Sequence, residues 1–235
     1  MTKNLLDKTG GNTKLGKTNK SAGGVYRVAG LSLMPSDTLC PSRLLAECAK
    51  ACLESAGRGR MQNVIDGRQR KADWFASDPE SFLAQLRREL FNFINTCQRQ
   101  GVKPAARLNV LSDVPWERHG IPQEFPELFL YDYTKLAFRL GRTPENYKLM
   151  FSYSGALAYQ NQVKTALKTD VPISAVFRGP MPAEFLGRRV IDGDASDLVN
   201  IMAGPVIVGL QAKGKAKTDE GAFVVDTRII ARAAA

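Results

Sequence analysis

The chain has 235 residues, 44% of them hydrophobic and 24% charged, enough apolar material for one sizeable core or two small ones, which excludes a disordered or collagen-like polymer. Thirty-three Lys and Arg against 23 Asp and Glu leave a formal charge of +10, a surplus that favours a phosphate-bearing partner, nucleotide or nucleic acid, or simple solubility. Four cysteines are too few for a disulfide scaffold, no signal-like start opens the chain, and apolar runs such as Pro205 to Leu210 are strand-sized, so the reading is a cytoplasmic protein with free thiols and no membrane span.

Residues 1–24 are rich in Lys, Thr, Asn and Gly with little to bury, which predicts a mobile basic arm ahead of a single α/β domain over 25–235. Val25 to Leu33 reads as a buried strand. After Pro35 and Pro41, Ser42 is placed to cap a helix through about Ser55, because Leu44, Leu45, Cys48, Ala51 and Cys52 recur at helical spacing and Gly57 follows. A second helix is expected over about Met61 to Trp74 and a third after Asp78-Pro79, with Phe82, Leu83, Leu86, Leu90, Phe93, Ile94 and Cys97 on one stripe and Gly101 at its end. Strand-like runs follow at Ala106 to Leu111, Leu128 to Tyr133, Leu149 to Tyr153, Ser174 to Phe177 and Val206 to Gln211. A helix near Leu157 to Lys168 and edge strands at Val190 to Asp192 and Ala222 to Val225 complete the pattern. Strands interleaved with helices predict an α/β fold, a partial or irregular (β/α) barrel-like sheet with flanking helices.

Those apolar runs give way to polar residues, as strands do where their carboxyl ends converge on a ligand-binding rim. Asp113 and Asp132 are the carboxylates expected there as catalytic groups, with Asp192 and Asp194 beside them. Arg58, Arg60, Lys135 and Arg178 are candidates for binding substrate phosphate. Lys213, Lys215 and Lys217 join them if the last long strand continues, since alternate residues on one strand face stand about 7 Å apart; the same alternation also protects an exposed edge. Cys40, Cys48 and Cys52 fall within one short stretch, and the last two are one helical turn apart, so three thiolates can meet. Such a trio suits a [4Fe–4S] cluster with one open iron. With His119, the one histidine, as a fourth donor it suits structural zinc as the second choice. Cysteines on an apolar stripe also serve as plain core, which is the reading for Cys97.

Gly11 to Thr18 spells the phosphate-loop pattern GNTKLGKT, but neither the strand before it nor the helix after it that the mechanism needs is predicted. No Gly-x-Ser-x-Gly elbow occurs. Trp74, Trp116, Phe75 and Tyr131, with Arg58, Arg60, Arg68, Arg70 and Lys71 nearby, have the composition of a base-stacking surface, but core packing is the reading for most of those rings.

Several blocks together resemble the phage gene product 88 family: GRGRM at Gly57, RQRKADWF at Arg68, RLNVLSDVPWE at Arg107, FPELFLYDYTK at Phe125, VIDGD at Val190 and VIVGLQAKGKAK at Val206. The likeness runs from about Tyr26 to Val225 and implies a viral protein made in the cytoplasm of an infected bacterial host. A looser resemblance, to radical S-adenosylmethionine enzymes with their cysteine-rich start and partial barrel, implies a cluster. Those enzymes space their ligands Cys-x3-Cys-x2-Cys, whereas here seven residues separate Cys40 from Cys48 and three separate Cys48 from Cys52, which argues against S-adenosylmethionine itself. The expectation is an iron–sulfur protein acting on a nucleotide or nucleic acid. The alternative is a non-catalytic basic protein that binds nucleic acid or serves host takeover.

Overall fold

The computed structural model describes residues 4–7, 16–18, 20 and 23–228. Ten strands form one sheet: β1 (Leu6–Asp7), β2 (Tyr26–Leu31), β3 (Lys103–Arg107), β4 (Phe129–Thr134), β5 (Tyr147–Ser152), β6 (Ile173–Arg178), β7 (Glu184–Phe185), β8 (Arg188–Asp192), β9 (Ile207–Gln211) and β10 (Val224–Asp226). Their order is β1-β2-β3-β4-β5-β6-β9-β8-β7, with β10 on β6. Strands β2 to β6, β8, β9 and β10 run parallel, and β1 and β7 pair antiparallel at the two ends. The α/β sheet is therefore open, a partial barrel flanked by helices and not a closed one. The first five parallel strands lie side by side in chain order, each reached by a crossover, which is the connection parallel pairing demands.

Helices α1 (Gln62–Ser77), α2 (Pro79–Arg99), α3 (Ile121–Glu124), α4 (Gln160–Leu167) and α5 (Asp197–Ile201) accompany it. The start of α2 follows from Asp78, whose side chain accepts the Ser81 N–H at 3.1 Å, and from Pro79 at the first turn. Its end follows from Gly101, which takes φ 66°. The stripe Phe82, Leu86, Leu90, Phe93, Ile94 and Cys97 is buried in the main core against Ala29, Leu31, Ala106, Leu130, Leu149, Phe151 and Phe177 of the sheet, which places Cys97 in the core as its position implied. A smaller core on the opposite face joins Val28, Ala105, Tyr131, Met150 and Val208 to Leu198 and Ile201 of α5. Strands covered on both faces read as continuous apolar runs, which is why each stood out in the sequence.

Three stretches differ from expectation. Residues 42–55 form successive turns and a 3₁₀ turn (Leu53–Ser55) instead of a helix: one turn closes from Ala46 N–H to the Ser42 carbonyl, then Glu47 takes φ 52° and ends it. Leu44 and Leu45, two of the five residues of the supposed stripe, stay exposed, so the apolar burial that holds a helix together is missing. Strand β9 stops at Gln211, and Gly214–Lys217 is a 3₁₀ turn, so Lys213, Lys215 and Lys217 do not form a ladder. Within the segment expected to be an arm, Leu5 and Leu6 are buried and β1 pairs with β2. Their amides donate to the two oxygens of the buried Glu89 carboxylate at 2.8 and 2.9 Å. Of the phosphate-loop pattern, residues 11–15 lie outside the described residues.

Candidate functional site

Beyond Ser152 and Ser174 strands β5 and β6 part, and β10 takes over as the neighbour of β6 from Val176 to Arg178. The turns carrying the cysteines sit at this split: Ser154 Oγ donates to the Ala46 carbonyl at 2.8 Å, and the Ala222 N–H donates to Glu47 Oε2 at 3.0 Å. Beside them, at the carboxyl ends of β3, β4 and β5, lies a cavity of about 140 Å³. Cys40, Cys48 and Cys52 line it together with Arg43, Glu54, Arg107, Asn109, Asp113, Tyr133, Thr134, Lys135 and Ser152. The three cysteines thus border one space although the helix expected to align two of them is absent. All three cysteines are free thiols.

Burial pushes the Cys40 thiol up to about 12, and Asp113, Cys52 and Cys48 add to the rise by their negative charge. Cys40 Sγ donates to the Leu111 carbonyl at 3.4 Å. Burial also raises Cys52, against a backbone N–H that favours its thiolate, with Glu54 and Cys48 adding to the rise. Burial thus favours the neutral thiol at Cys40 and at Cys52. Lys135, which follows β4, supplies positive charge in the cavity wall. Its Nζ donates to Ser152 Oγ at 2.9 Å and lies 4.5 Å from the centre of the Phe223 ring. Burial lowers its pKa, and Cys48, Asp113, Cys40 and Cys52 oppose that shift.

The Asp113 carboxylate is held on both oxygens, by the Lys135 N–H at 2.7 Å and by Arg139 at 2.8 Å; burial raises its pKa while Arg139 and these donors pull it back. Asp132 is fully buried and does not line the cavity. It accepts the Asn109 N–H at 2.6 Å and the Tyr147 hydroxyl at 2.8 Å, and burial brings its pKa up to about 7. The geometry therefore makes Asp113 a wall of the cavity and Asp132 a strut behind it. Arg107, the last residue of β3, was overlooked as a site residue in the sequence. Its guanidinium pairs with Asp197 at 2.8 Å and lies 4.3 Å from the centre of the Tyr133 ring, whose hydroxyl also donates to Asp197. Burial works against its charge, and Asp197 holds it. An arginine flanked by Ala105, Ala106 and Leu108 was the available signal, since Arg is rarely buried unpaired.

The other expected residues lie outside the cavity. Arg58 and Arg60 are exposed on the 3₁₀ turn Gly57–Arg60. Arg178 pairs with Asp226 of β10 at 2.9 Å and donates to the Asp219 carbonyl at 2.6 Å, so it ties the split together. Lys213 pairs with Asp194, and Lys215 and Lys217 sit exposed on their turn. His119 packs its ring against Phe75 and Trp116, and burial lowers its pKa; it is not in the cavity wall and does not supply a fourth donor there. Among the described residues no three His, Cys, Asp or Glu side chains stand arranged to hold a metal ion. Among the same described residues no helix is long and apolar enough to cross a membrane. Trp116 is wholly buried, and Trp74 and Phe75 pack against Phe82, the core reading of those rings.

The model of one family, described as Gene product 88, matches residues 4–227, nearly the whole chain. No curated protein and no solved structure matches.

Proposed function

From the premise that the chain belongs to the gene product 88 family, we propose that this fold carries a three-thiolate iron–sulfur centre formed by Cys40, Cys48 and Cys52, which serves chemistry on a nucleotide or nucleic acid. One observation carries the reading: three cysteines from an irregular loop after the first parallel strand line one cavity at the carboxyl edge of the sheet. By donor type the set suits a cluster better than zinc, because three cysteines line the cavity and the one imidazole is elsewhere, although their side chains as they stand are not gathered around one point. The cavity wall also fits an anionic centre. Among the described residues no carboxylate is hydrogen-bonded to the Lys135 ammonium group, and its charge has the sign that an anionic centre needs. When bound, the cluster supplies an electron carrier and an open iron. The chain's own residues then do the positioning: Asp113 fixes the backbone at Lys135, Arg139 fixes Asp113, and Arg107 offers its charge to a phosphate from the cavity wall.

Anaerobic purification followed by metal analysis and absorption spectroscopy tests this. The expected result is a brown protein with iron and sulfide, whose broad charge-transfer band disappears in the Cys40→Ser/Cys48→Ser/Cys52→Ser variant. A colourless, zinc-containing protein would replace the cluster by a structural site, and a metal-free protein under iron-replete expression would remove both. A second reading, a non-catalytic nucleic-acid binder, rests on the exposed Arg58, Arg60, Lys215 and Lys217 outside the cavity. It predicts a steep loss of oligonucleotide affinity with salt in wild type and triple variant alike.

A further inference from the structure

Glu47 stands in the cysteine loop and Asp219 in the segment after β9, and their carboxylates face one spot beside Gly221. A Cβ placed on Gly221 would lie 3.2 Å from Asp219 Oδ2, 3.3 Å from Glu47 Oε2 and 3.6 Å from Asp219 Oδ1. Glu47 Oε2 already accepts the Ala222 N–H. Asp219 is only 9% exposed, and its Oδ2 is buried with no hydrogen-bond partner among the described residues. The guanidinium of Arg178, which reaches the Asp219 carbonyl, is spent on that carbonyl, on the Lys217 carbonyl and on the Asp226 carboxylate. A buried carboxylate oxygen with no donor is a feature that native structures resolve by a bound group.

We propose that Glu47 and Asp219 form a binding site for a hydrated divalent cation of the magnesium and calcium class. Hard oxygen donors select such ions. One or two carboxylates with the remaining positions left to water is the donor set these ions accept, magnesium in particular. The missing side chain at Gly221 leaves room at the point where the oxygens converge. The ion clamps the loop that carries Cys48 to the segment leading into β10, and so braces one wall of the cavity. The site is independent of the thiol reading, since none of its donors is a sulfur.

The test is thermal unfolding of chelator-treated protein in Mg²⁺, in Ca²⁺ and in NaCl of matched ionic strength, with calorimetric titration of each divalent ion. Tm is expected to rise by roughly 5–10 °C with ion at a hundredfold excess over Kd. The rise is expected to vanish in Asp219→Asn and to persist in the triple Cys→Ser variant and in Glu127→Gln, a change at an exposed carboxylate far from the spot. Should Asp219→Asn fail to fold, Glu47→Gln, at an exposed side chain, carries the same expectation. No divalent effect beyond matched NaCl, or a full effect in the folded Asp219 or Glu47 variant, overturns the site. Either result leaves the iron–sulfur reading untouched, and a colourless protein that still responds to Mg²⁺ separates the two in the other direction.

Discussion

Arg139 joins more groups than any other side chain near the cavity. It holds Glu117 with two parallel bonds of 2.8 Å, Asp113 at 2.8 Å, and reaches Thr134 and the Tyr147 hydroxyl at 3.2 Å, while itself almost completely buried. Arg139→Met removes the cation but leaves two carboxylates in poor solvent, so unfolding free energy is expected to fall by about 3–5 kcal/mol in a urea titration. Asp132 makes a prediction of different form. Its folded pKa, about 7, stands above the ordinary 3.8, so the folded state binds the proton more tightly. Stability from this group is then complete below pH 4, declines between about pH 4 and 7, and stays at its lower level above. The decline is of the order of 1–4 kcal/mol. Urea midpoints at pH 5 and pH 8 are expected to differ in wild type, and the difference is expected to shrink in Asp132→Asn.

At the scale of elements, Glu89 on α2 shows how an apolar pair in a basic segment becomes structure. The leucines Leu5 and Leu6 need a covered site, their amides need acceptors, and one buried carboxylate supplies both bonds. Glu89→Ala is expected to cost about 1–3 kcal/mol and to release β1, read as lost hydrogen-exchange protection of the Leu5 and Leu6 amides with little change in the strands beyond β2. This contact was not legible in sequence, because two leucines among polar residues carry no period and their partner lies over eighty residues away. The parallel strands and α2 were legible, since burial on two faces and a capped apolar stripe leave marks within a few residues. The run from Ser42 to Ser55 carried the same helical mark and was misleading. Its exposed Leu44 and Leu45 find no surface to cover, and Glu47 is engaged by the Ala222 amide instead. Alternating lysines likewise suggested a strand where the Gly214 turn intervenes, with Gly214 itself at φ 57°.

Over the whole molecule, the position of the site was legible and much of its membership was not. Strand ends that turn polar pointed to the carboxyl edge, and Asp113, Lys135 and the three cysteines are there. Asp132, one strand residue in from Tyr133, points to the other face and into the core, a distinction that depends on register and not on composition. Arg178 and the lysines after β9 fell outside because the sheet divides between β5 and β10, a branch no local pattern announces. That branch also joins the cavity to a distant stretch of chain. Phe223, whose ring centre lies 4.5 Å from Lys135 Nζ, and β10, which pairs with β6 where β5 no longer does, both follow β9. A loosening of that stretch is therefore felt at the cavity, and removing the Phe223 ring is expected to alter the setting of Lys135 without substituting any residue of the cavity wall.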